Sequence, residues 1–422
     1  MNTVLDEFEI AAGWKELPFR AVARKVSESG FPDLESLSVF LDAGVVPRSS
    51  REDNHNQLGE SLEKYQRVLP NDLVFNKLRT WQGGFGISDY EGIVSPAYII
   101  ARPDRSLIEP RFLGYLLKSA PYLAELTRLS KWMPPTQFDI SWESIRDLKL
   151  RIPQLEEQRR IAKYLDLQCG VLEKMENDHE KVGLNIKELT KSEREKLIRG
   201  QDQNRQKVSG WLGEIDSNWR VIRLGQIATI KSGVGFPDEY QGKSNGLYPF
   251  MKVGDLGAAN EFGILSTAEN YVDLLDAISL GARIAPAQTI VFPKVGAALL
   301  NNRRVILGAP SIFDNNVMGL LFKEGNIRFW YHVLRSVDMG QIMNPGPVPS
   351  IGASQVSDIS LPFPPLEEQN RIAKRLDEID QMEDELFKKN QQAILKLNEY
   401  KRSLITSTVT GQLDVNAKRS VA

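Results

Sequence analysis

Two short clusters of polar side chains have the residue types that bind nucleic acid. The first cluster joins two cations, an aromatic ring and an amide beside two glycines, at Lys77, Arg79, Trp81 and Gln82. The second is the densest group of hydrogen-bond donors in the second half of the chain, at Asn301, Asn302, Arg303 and Arg304. Arginine can bind a guanine edge through two hydrogen bonds, and asparagine or glutamine can do so for adenine. These residues therefore predict contacts to base edges in DNA.

Five single residues are further candidates for contacts to phosphates or bases, namely Lys131, Gln137, Lys231, Ser232 and Lys243. The alternative is that each candidate is an ordinary solvated loop residue, and the sequence leaves both interpretations open. The two clusters follow similar segments, LVFNK at 73–77 and IVFPK at 290–294. We therefore expect them at equivalent places in two related domains.

The sequence shows no arrangement of residues suited to catalysis. Its three histidines, His55, His179 and His332, are far apart, and no CxxC or HExxH metal spacing is present. The glycine-rich segments 83–86 and 232–236 do not open a helix after a strand in the dinucleotide-binding pattern. We therefore predict a recognition or positioning protein that has no catalytic residue, metal or cofactor of its own.

Composition sets broad limits on the kind of protein. The chain has 422 residues, of which 41% are hydrophobic and 26% charged, values that are ordinary for globular protein and sufficient for two or more domains. The single cysteine, Cys169, excludes an internal disulfide and suits a reducing compartment. Because we find no signal peptide and no long apolar run, we expect a cytoplasmic protein. A net charge of −2 gives no bulk attraction to DNA, so any DNA contact has to be local.

A long internal repeat determines the architecture. The segment LEEQRRIAKYLD at 155–166 returns as LEEQNRIAKRLD at 366–377, 211 positions later. The similarity extends upstream, and Trp14 and Trp219 open comparable segments in the two halves. The ends of the two halves are alike and their middles differ. The chain is therefore a tandem duplication.

Each repeat begins a long predicted helix, from about Leu155 to Ile198 and from about Leu366 to Ile405. Carboxylates lie in the first turn, where they favour the positive end of the helix dipole. An apolar seam follows at steps of three and four residues. In the first helix it is Ile161, Leu165, Gln168, Leu172, Met175, His179, Val182, Ile186 and Leu189. In the second it is Ile372, Leu376, Ile379, Glu383, Leu386, Asn390, Ala393, Leu397 and Tyr400.

Each helix is the natural partner of the other in an antiparallel coiled coil. Two interpretations of His179 and Asn390 stay open: they meet as a polar layer that fixes the register, or both face solvent. The remaining sequence predicts mixed α/β (α+β) regions, with helices at 111–129 and 327–337 and closing strands at 148–153 and 359–364. A polar linker is predicted at 200–210.

The predicted fold has two globular domains separated by two long antiparallel coiled-coil helices, with pseudo-twofold internal duplication. We expect the first globular domain at 1–152, the first helix at 153–200 and the second globular domain at 201–363. The second helix is expected at 364–410, and a C-terminal tail at 411–422.

The repeats entered from L-x-[IF]-P strands, the [LI]VFxK strands and the stretches GIVSPAY (92–98) and FDNNVMGL (313–320) resemble specificity subunits of type I restriction–modification enzymes. The resemblance covers nearly the whole chain and is most specific in the repeats. It implies two target recognition domains that each bind one half of a bipartite, asymmetric DNA sequence. The two helices would set the spacer between the half-sites.

The resemblance also implies partners and cofactors outside this chain. Two methyltransferase subunits would carry S-adenosylmethionine, and two restriction subunits would use ATP and magnesium. The methyltransferase docking surface would be the helix starts, with residues Leu155, Glu156, Glu157, Gln158, Ile161, Leu366, Glu367, Glu368, Gln369 and Ile372. The alternative function is a protein-binding coiled-coil scaffold whose globular domains no longer recognise DNA.

Overall fold

The computed structural model describes residues 5, 10–41, 43–51, 62–132, 138–200, 204–344 and 346–415. The chain divides into two compact units. Unit 1 comprises Met1–Glu180 and Gln391–Ala422, and unit 2 comprises Lys181–Asn390. Each unit therefore holds one globular region together with a segment of both long helices.

The described residues of unit 1 form ten strands, four short α-helices and parts of the two long ones. Its strands are β1 (Lys15–Pro18), β2 (Ala23–Val26), β3 (Leu37–Phe40), β4 (Gly44–Pro47), β5 (Gln66–Val68), β6 (Leu73–Asn76), β7 (Phe85–Ile87), β8 (Gly92–Val94), β9 (Tyr98–Pro103) and β10 (Lys149–Ile152). Its helices are α1 (Phe19–Val22), α2 (Pro110–Lys118), α3 (Ala120–Arg128), α4 (Trp142–Ile145) and the long α5 (Leu155–Arg199), which continues into unit 2.

Unit 2 repeats this plan with a different middle. Its strands are β11 (Arg205–Val208), β12 (Gly213–Asp216), β13 (Arg220–Arg223), β14 (Ala228–Ser232), β15 (Tyr248–Met251), β16 (Ile264–Leu265), β17 (Asn270–Val272), β18 (Ile290–Pro293), β19 (Val305–Leu307), β20 (Ile312–Phe313), β21 (Val317–Phe322) and β22 (Ser360–Phe363). Its helices are α6 (Leu224–Ile227), α7 (Leu274–Ser279), α8 (Ala297–Leu300), α9 (Ile327–Ser336), α10 (Ala353–Ser357) and the long α11 (Leu366–Val409), which continues into unit 1.

The central sheet of each unit is buried on both faces. In unit 1 the strand order is β2-β9-β6-β7, and in unit 2 it is β14-β21-β18-β19-β16. Alternate residues of β6 serve two cores, because Leu73 and Phe75 pack with the helices while Val74 packs with the smaller strands. In the equivalent strand β18, Ile290 and Phe292 pack into one core and Val291 packs into the other. Side chains alternate across a strand, so one apolar segment supplies two cores.

In each globular region an early strand pairs with the last one, which gives both units the same framework. In unit 1 β1 pairs antiparallel with β10, and in unit 2 β13 pairs antiparallel with β22. A short helix and a sheet strand follow β1 and β13 alike. The same ion pair closes each framework, Arg20 with Asp147 at 2.6 Å and Arg223 with Asp358 at 3.3 Å. The duplication and the mixed α/β fold class predicted from the sequence are confirmed.

The repeated segment fastens each long helix to its globular region through a buried amide. Gln158 accepts a hydrogen bond from the Glu109 backbone N–H at 2.8 Å and donates to the Pro153 carbonyl at 2.9 Å. Gln369 makes the matching bonds to the Asn326 N–H and the Pro364 carbonyl, both at 2.9 Å. Both glutamines are 1% exposed, so these backbone groups have no access to water as a substitute partner.

Other repeated residues complete this attachment. Ile161, Leu165 and their equivalents Ile372 and Leu376 are buried in the core of their own unit. Asp166 accepts a hydrogen bond from the Tyr115 hydroxyl at 2.9 Å, so α2 is bound to α5.

The equivalent contact in unit 2 is an ionic network. Asp377 contacts His332 Nε2 at 2.7 Å and also pairs with Arg328, and Asp380 pairs with Arg335 and Arg194. Burial lowers the pKa of His332, although its hydrogen bond with Asp377 acts in the opposite direction. The network ties α9 to α11 and to the last part of α5.

The antiparallel pairing of α5 and α11 is confirmed within each unit. In unit 1 Lys401 pairs with Glu173 at 2.7 Å, and Asn398 donates to Glu176 at 2.8 Å. In unit 2 Thr190 donates to Glu383 at 3.1 Å, and Arg194 pairs with Asp380 at 2.8 Å. In both units the residue number rises on one helix as it falls on the other.

The predicted seam is correct near the helix starts and at Asn390, and it is wrong at five positions further along. Ile161, Leu165, Leu172, Ile372, Leu376 and Ile379 are buried. Met175, Val182, Leu189, Leu386 and Tyr400 are exposed instead, by 41–70%. Polar side chains take their place at the helix contact. Asn390 is buried, and its Nδ2 lies 3.2 Å from the position that a Cβ on Gly183 would occupy, so glycine allows this close approach. His179 is only half-buried.

Two other expectations need correction. The helix predicted at 111–129 is two helices, α2 and α3, separated at Ser119 before Pro121, because proline favours the first turn of a new helix. The predicted linker at 200–210 contains β11, which forms a hairpin with β12. Within the described ranges no helix is both long and apolar enough to cross a membrane.

We predict that Gln369→Met lowers the free energy of unfolding by about 2–4 kcal/mol, because it leaves one buried N–H and one buried carbonyl without partners. Urea unfolding followed by circular dichroism measures the change. Gln381→Met is the matched control, since Gln381 is an exposed residue of the same helix. Equal stability of the two variants would contradict the structural role of Gln369.

Candidate nucleic-acid interface

The first candidate cluster lies in the loop between β6 and β7. The Asn76 side chain accepts a hydrogen bond from the Leu78 N–H at 3.1 Å, and the buried Thr80 hydroxyl donates to the Asn76 carbonyl at 2.7 Å. Gly83 has a φ of +86°, which glycine adopts without strain, and it ends the short 3-10 turn Thr80–Gln82. The loop is therefore held by its own hydrogen bonds and keeps a defined shape at the surface.

This loop does not present all four candidates equally. Arg79 and Gln82 are exposed, and Lys77 is half-buried. Trp81 is half-buried and packs against the main core of unit 1, so much of its ring serves the fold. Leu78, which the sequence analysis did not select, is 63% exposed at the same place. The loop thus offers Arg79 and Gln82 as donors, with an apolar side chain beside them.

The second candidate cluster lies between α8 and β19, after the strand β18 that matches β6. Asn301 and Arg303 are exposed. Asn302 has a φ of +50°, donates to Asp338 at 3.0 Å and accepts a hydrogen bond from the Met339 N–H at 2.9 Å. The hydrogen bond from Asn302 lowers the pKa of Asp338. Both bonds assign Asn302 to the turn itself. Asn301 and Arg303 remain as the surface donors.

Arg304 is a structural residue, which corrects its selection as a DNA contact. Its side chain is 3% exposed and packs over the Phe292 ring, with the guanidinium carbon 5.1 Å from the ring centre. It donates to the Val337 carbonyl at 3.2 Å, while its Nε has no hydrogen-bond partner. Burial lowers the pKa of Arg304 to about 10. This burial could not be predicted from the sequence, because Arg303 and Arg304 are adjacent and of the same type and differ only in the face of the chain on which they lie.

The single candidates lie in different settings. Lys131 and Lys231 are exposed, and the exposed Ser232 accepts a hydrogen bond from Lys294 at 3.0 Å. Lys294 belongs to the IVFPK segment and is a functional candidate that the sequence analysis missed, although its match with Lys77 could have indicated it. Lys243 forms an ion pair with Asp276 at 2.8 Å, which raises the pKa of Lys243 and leaves it partly neutralised. Gln137 lies outside the described residues.

The predicted docking residues are also divided by burial. Gln158, Ile161, Gln369 and Ile372 are buried inside their own units, so they cannot form a docking surface, and their selection was wrong. Glu156, Leu366 and Glu367 are exposed, and Leu155, Glu157 and Glu368 are half-buried. Glu368 accepts a hydrogen bond from the Trp219 indole at 3.0 Å. These residues are thus repeated mainly because they attach each long helix to its globular region, and less because they form an exposed docking surface.

No metal-binding group is formed by histidine, cysteine, aspartate or glutamate in the described part of the chain. His332 lies in the buried network of unit 2, and His55 is outside the described residues. What the exposed loops can do chemically is donate hydrogen bonds from arginine, asparagine and glutamine.

Comparisons with known proteins agree with this arrangement. Residues 216–396 match the family model of the type I restriction modification DNA specificity domain. The putative type I restriction enzyme MjaX specificity subunit of Methanocaldococcus jannaschii is 26% identical over 84% of this chain and 81% of its own length. The type I restriction enzyme MjaVIII specificity subunit of the same organism is 22% identical over 83% of each chain.

Two solved structures share the fold. A chain from a type I restriction–modification system aligns with a TM-score of 0.74 at 15% identity, covering 96% of this chain and all of that one. The crystal structure of the HsdS subunit from Thermoanaerobacter tengcongensis aligns with a TM-score of 0.58 at 15% identity, covering 96% and 99%. The family model covers unit 2 for the most part, while the relatives and the fold extend over both units. The chain is therefore similar in sequence and in fold to type I restriction–modification specificity subunits, and its residues 216–396 match the DNA specificity domain of that family.

Proposed function

We propose that this chain is the DNA-recognition subunit of a type I restriction–modification complex and has no catalysis of its own. Each unit binds one half of a bipartite, asymmetric target. The supporting observation is a duplicated framework in which equivalent strands, β6 and β18, lead into loops of different sequence. One framework with two different loops suits a target whose halves differ in sequence.

Direct recognition is assigned to the exposed donors of the two loops. In unit 1 these are Arg79 and Gln82, and in unit 2 they are Asn301 and Arg303. Their side chains can bind base edges in the major groove or phosphates beside it. Lys231 and Lys294 add positive charge near β14 and β18, where they suit phosphates. A small number of local cations is consistent with the net charge of −2, since partner subunits can supply further phosphate contacts.

The two long helices are proposed to set the spacer between the half-sites. Helix α5 has 45 residues and α11 has 44. At 1.5 Å per residue each is roughly 66 Å long. Half-site spacing follows the geometry of the protein that bears the recognition elements.

The proposed partners are two methyltransferase subunits, which carry S-adenosylmethionine, and two restriction subunits, which use ATP and magnesium. A repeated apolar patch on the helices offers each unit one docking site. In unit 1 it comprises Val171, Met175 and Tyr400, which are 56%, 44% and 52% exposed. In unit 2 it comprises Met382, Leu386 and Leu189, which are 48%, 41% and 70% exposed. Each residue of one patch lies 211 positions from its equivalent in the other, as the helix repeat requires.

We propose that each patch lies along one side of a helix pair. Glu173 pairs with Lys401 and Glu176 with Asn398, so Met175 and Tyr400 lie at nearly the same level. Apolar residues at such flanking positions are costly in water unless a partner covers them. Two equal patches suit two equal partner subunits.

We expect coexpression with the cognate methyltransferase subunit to produce N6-methyladenine in a bipartite motif with a fixed spacer, mapped across a host genome by single-molecule sequencing. A stable complex that produces no methylation would instead favour the protein-binding scaffold.

Within that complex, Arg303→Ala should weaken binding to the target by about 10- to 100-fold, the usual cost of losing one arginine contact to DNA. Arg304→Met is the matched control, because it keeps the buried side-chain volume at an adjacent residue and should leave sequence preference unchanged. Gel-shift titration at fixed salt measures both. Equal effects of the two variants would contradict the assignment of Arg303.

Insertion of two heptads at equivalent places in α5 and α11 should lengthen the spacer in the methylated motif while both half-sites stay the same. The reason is that fourteen added residues extend each helix by roughly 21 Å. Methylome mapping gives the spacer directly, and an unchanged spacer would show that the helices do not set it.

Met175→Glu should remove one of two bound methyltransferase subunits, and Met175→Glu with Leu386→Glu should remove both, because each buries a charge in an apolar contact. Native mass spectrometry counts the subunits. Leu184→Glu is the control, since Leu184 is 67% exposed on the same helix but outside both patches. Loss of a subunit in the control variant would contradict the patch assignment.

A further inference from the structure

Unit 1 contains a cavity of about 960 Å³ between its globular region and its pair of long helices. Residues from α2, α3, α5 and α11 line it, together with the loop after β6. The lining residues include Lys118, Cys169, Glu173, Lys401, Arg402 and Trp81. Cavities of about 300–1,000 Å³ are of the size that binds small molecules.

Most charged groups in the cavity wall already have partners. Arg111 pairs with Asp89 at 3.0 Å and lies 3.5 Å from Asp166. Lys401 pairs with Glu173 at 2.7 Å. Lys118 is different, because its side chain is mostly buried and makes no hydrogen bond or ion pair with any residue that the structure describes. Burial lowers the pKa of Lys118, and the nearby ammonium of Lys401 adds to this effect, while the carboxylate of Glu173, which Lys401 already binds, opposes it.

The equivalent place in unit 2 shows what Lys118 lacks. Helices α2 and α9 correspond, since Tyr115 of α2 binds Asp166 as His332 of α9 binds Asp377. Three residues further along, Lys118 therefore corresponds to Arg335. Arg335 is paired with Asp380, whose equivalent 211 positions earlier is Cys169. Unit 1 thus keeps the cation of this ion pair, while an uncharged thiol takes the place of its carboxylate.

We propose that the unit 1 cavity binds a small phosphate-bearing molecule, whose phosphate pairs with the Lys118 ammonium as Asp380 pairs with Arg335. The exposed Arg402 supplies a second cation in the same wall. Thr406, one turn beyond Arg402, accepts a hydrogen bond from the Ala120 N–H at 3.3 Å, which places α11 beside the first turn of α3. The positive end of that helix also favours an anion.

The size and the rest of the wall indicate a nucleotide. A phosphate ion fills only a small part of about 960 Å³. Trp81 and Gln82 also line the cavity and offer an aromatic surface and an amide to a planar base. Gln82 belongs both to this site and to the proposed DNA contact, but the test of this site is separate, since the ligand is titrated into the free chain without DNA.

The experiment measures binding of inorganic phosphate and of AMP to the full chain by isothermal titration calorimetry at constant ionic strength. We expect AMP to bind more tightly than phosphate. Lys118→Met should weaken both by at least tenfold, because it removes a hydrogen bond between charged groups. Lys163→Met is the control and should bind as the unaltered chain does, since Lys163 is an exposed lysine of α5 outside the cavity.

Cys169→Asp provides a second, independent variant. It restores in unit 1 the carboxylate that unit 2 has at Asp380, so it should raise Tm without ligand and remove the response to phosphate. Undetectable binding to the unaltered chain, or equal binding to Lys118→Met, would overturn the proposal. AMP binding no tighter than phosphate would overturn the assignment to a nucleotide. These outcomes do not depend on DNA, so they are separate from failure of the proposed recognition function.

Discussion

The structure of each unit depends on one buried amide at the start of a long helix. Gln158 in unit 1 and Gln369 in unit 2 satisfy a backbone N–H of the globular region and a backbone carbonyl before the helix. Because such groups are costly to bury unpaired, the angle at which the helix leaves the globular region is defined. Any function that measures a distance along these helices requires a fixed attachment of this kind. The repeated sequence is therefore explained first by packing and only second by outer contacts.

Duplication has kept the attachment and changed the chemistry beside it. In unit 2 the space between α9 and the helix pair holds an ionic network around Asp377 and Asp380, with Arg194, Arg328, Arg335 and His332. In unit 1 the same frame has Asp166 with Tyr115, and Cys169 in place of the second carboxylate. The result there is a cavity with a cation that lacks its partner. The two units thus differ at one equivalent cation. In unit 2 Asp380 neutralises Arg335, whereas in unit 1 Cys169 cannot neutralise Lys118.

The polar contact between the long helices has a related consequence. Thr190, Arg194 and Asn390 lie in the helix contact, where a typical coiled coil has apolar residues. The apolar residues that continue the heptad pattern, such as Met175 and Leu386, are displaced to an exposed side. A pair of helices held by directional polar contacts has a defined register, while its apolar side stays available to a partner. Under the proposed function, recognition of DNA and assembly with partner subunits are assigned to different surfaces.

The duplication, the two long helices, the fold class and the resemblance to a known family could be predicted from the sequence alone. These follow from a repeat of twelve residues, from periodicity and from strand–proline–helix order, which are local and need no knowledge of contacts.

Which side chains are available at the surface depends on the tertiary structure. Arg303 and Arg304 look alike in sequence, yet one is exposed and the other is 3% exposed over Phe292. Gln158 and Gln369 look like surface residues of a helix, yet they are buried because distant backbone groups need their amides. Met175 fits the apolar seam of α5, yet its side chain is exposed. The next residue, Glu176, makes the contact with Asn398 of α11 instead, so the contacting face differs from the predicted one by one position. Burial of a side chain depends on which other segments of the chain pack against it. The sequence predicts that packing only where its apolar pattern is strictly periodic.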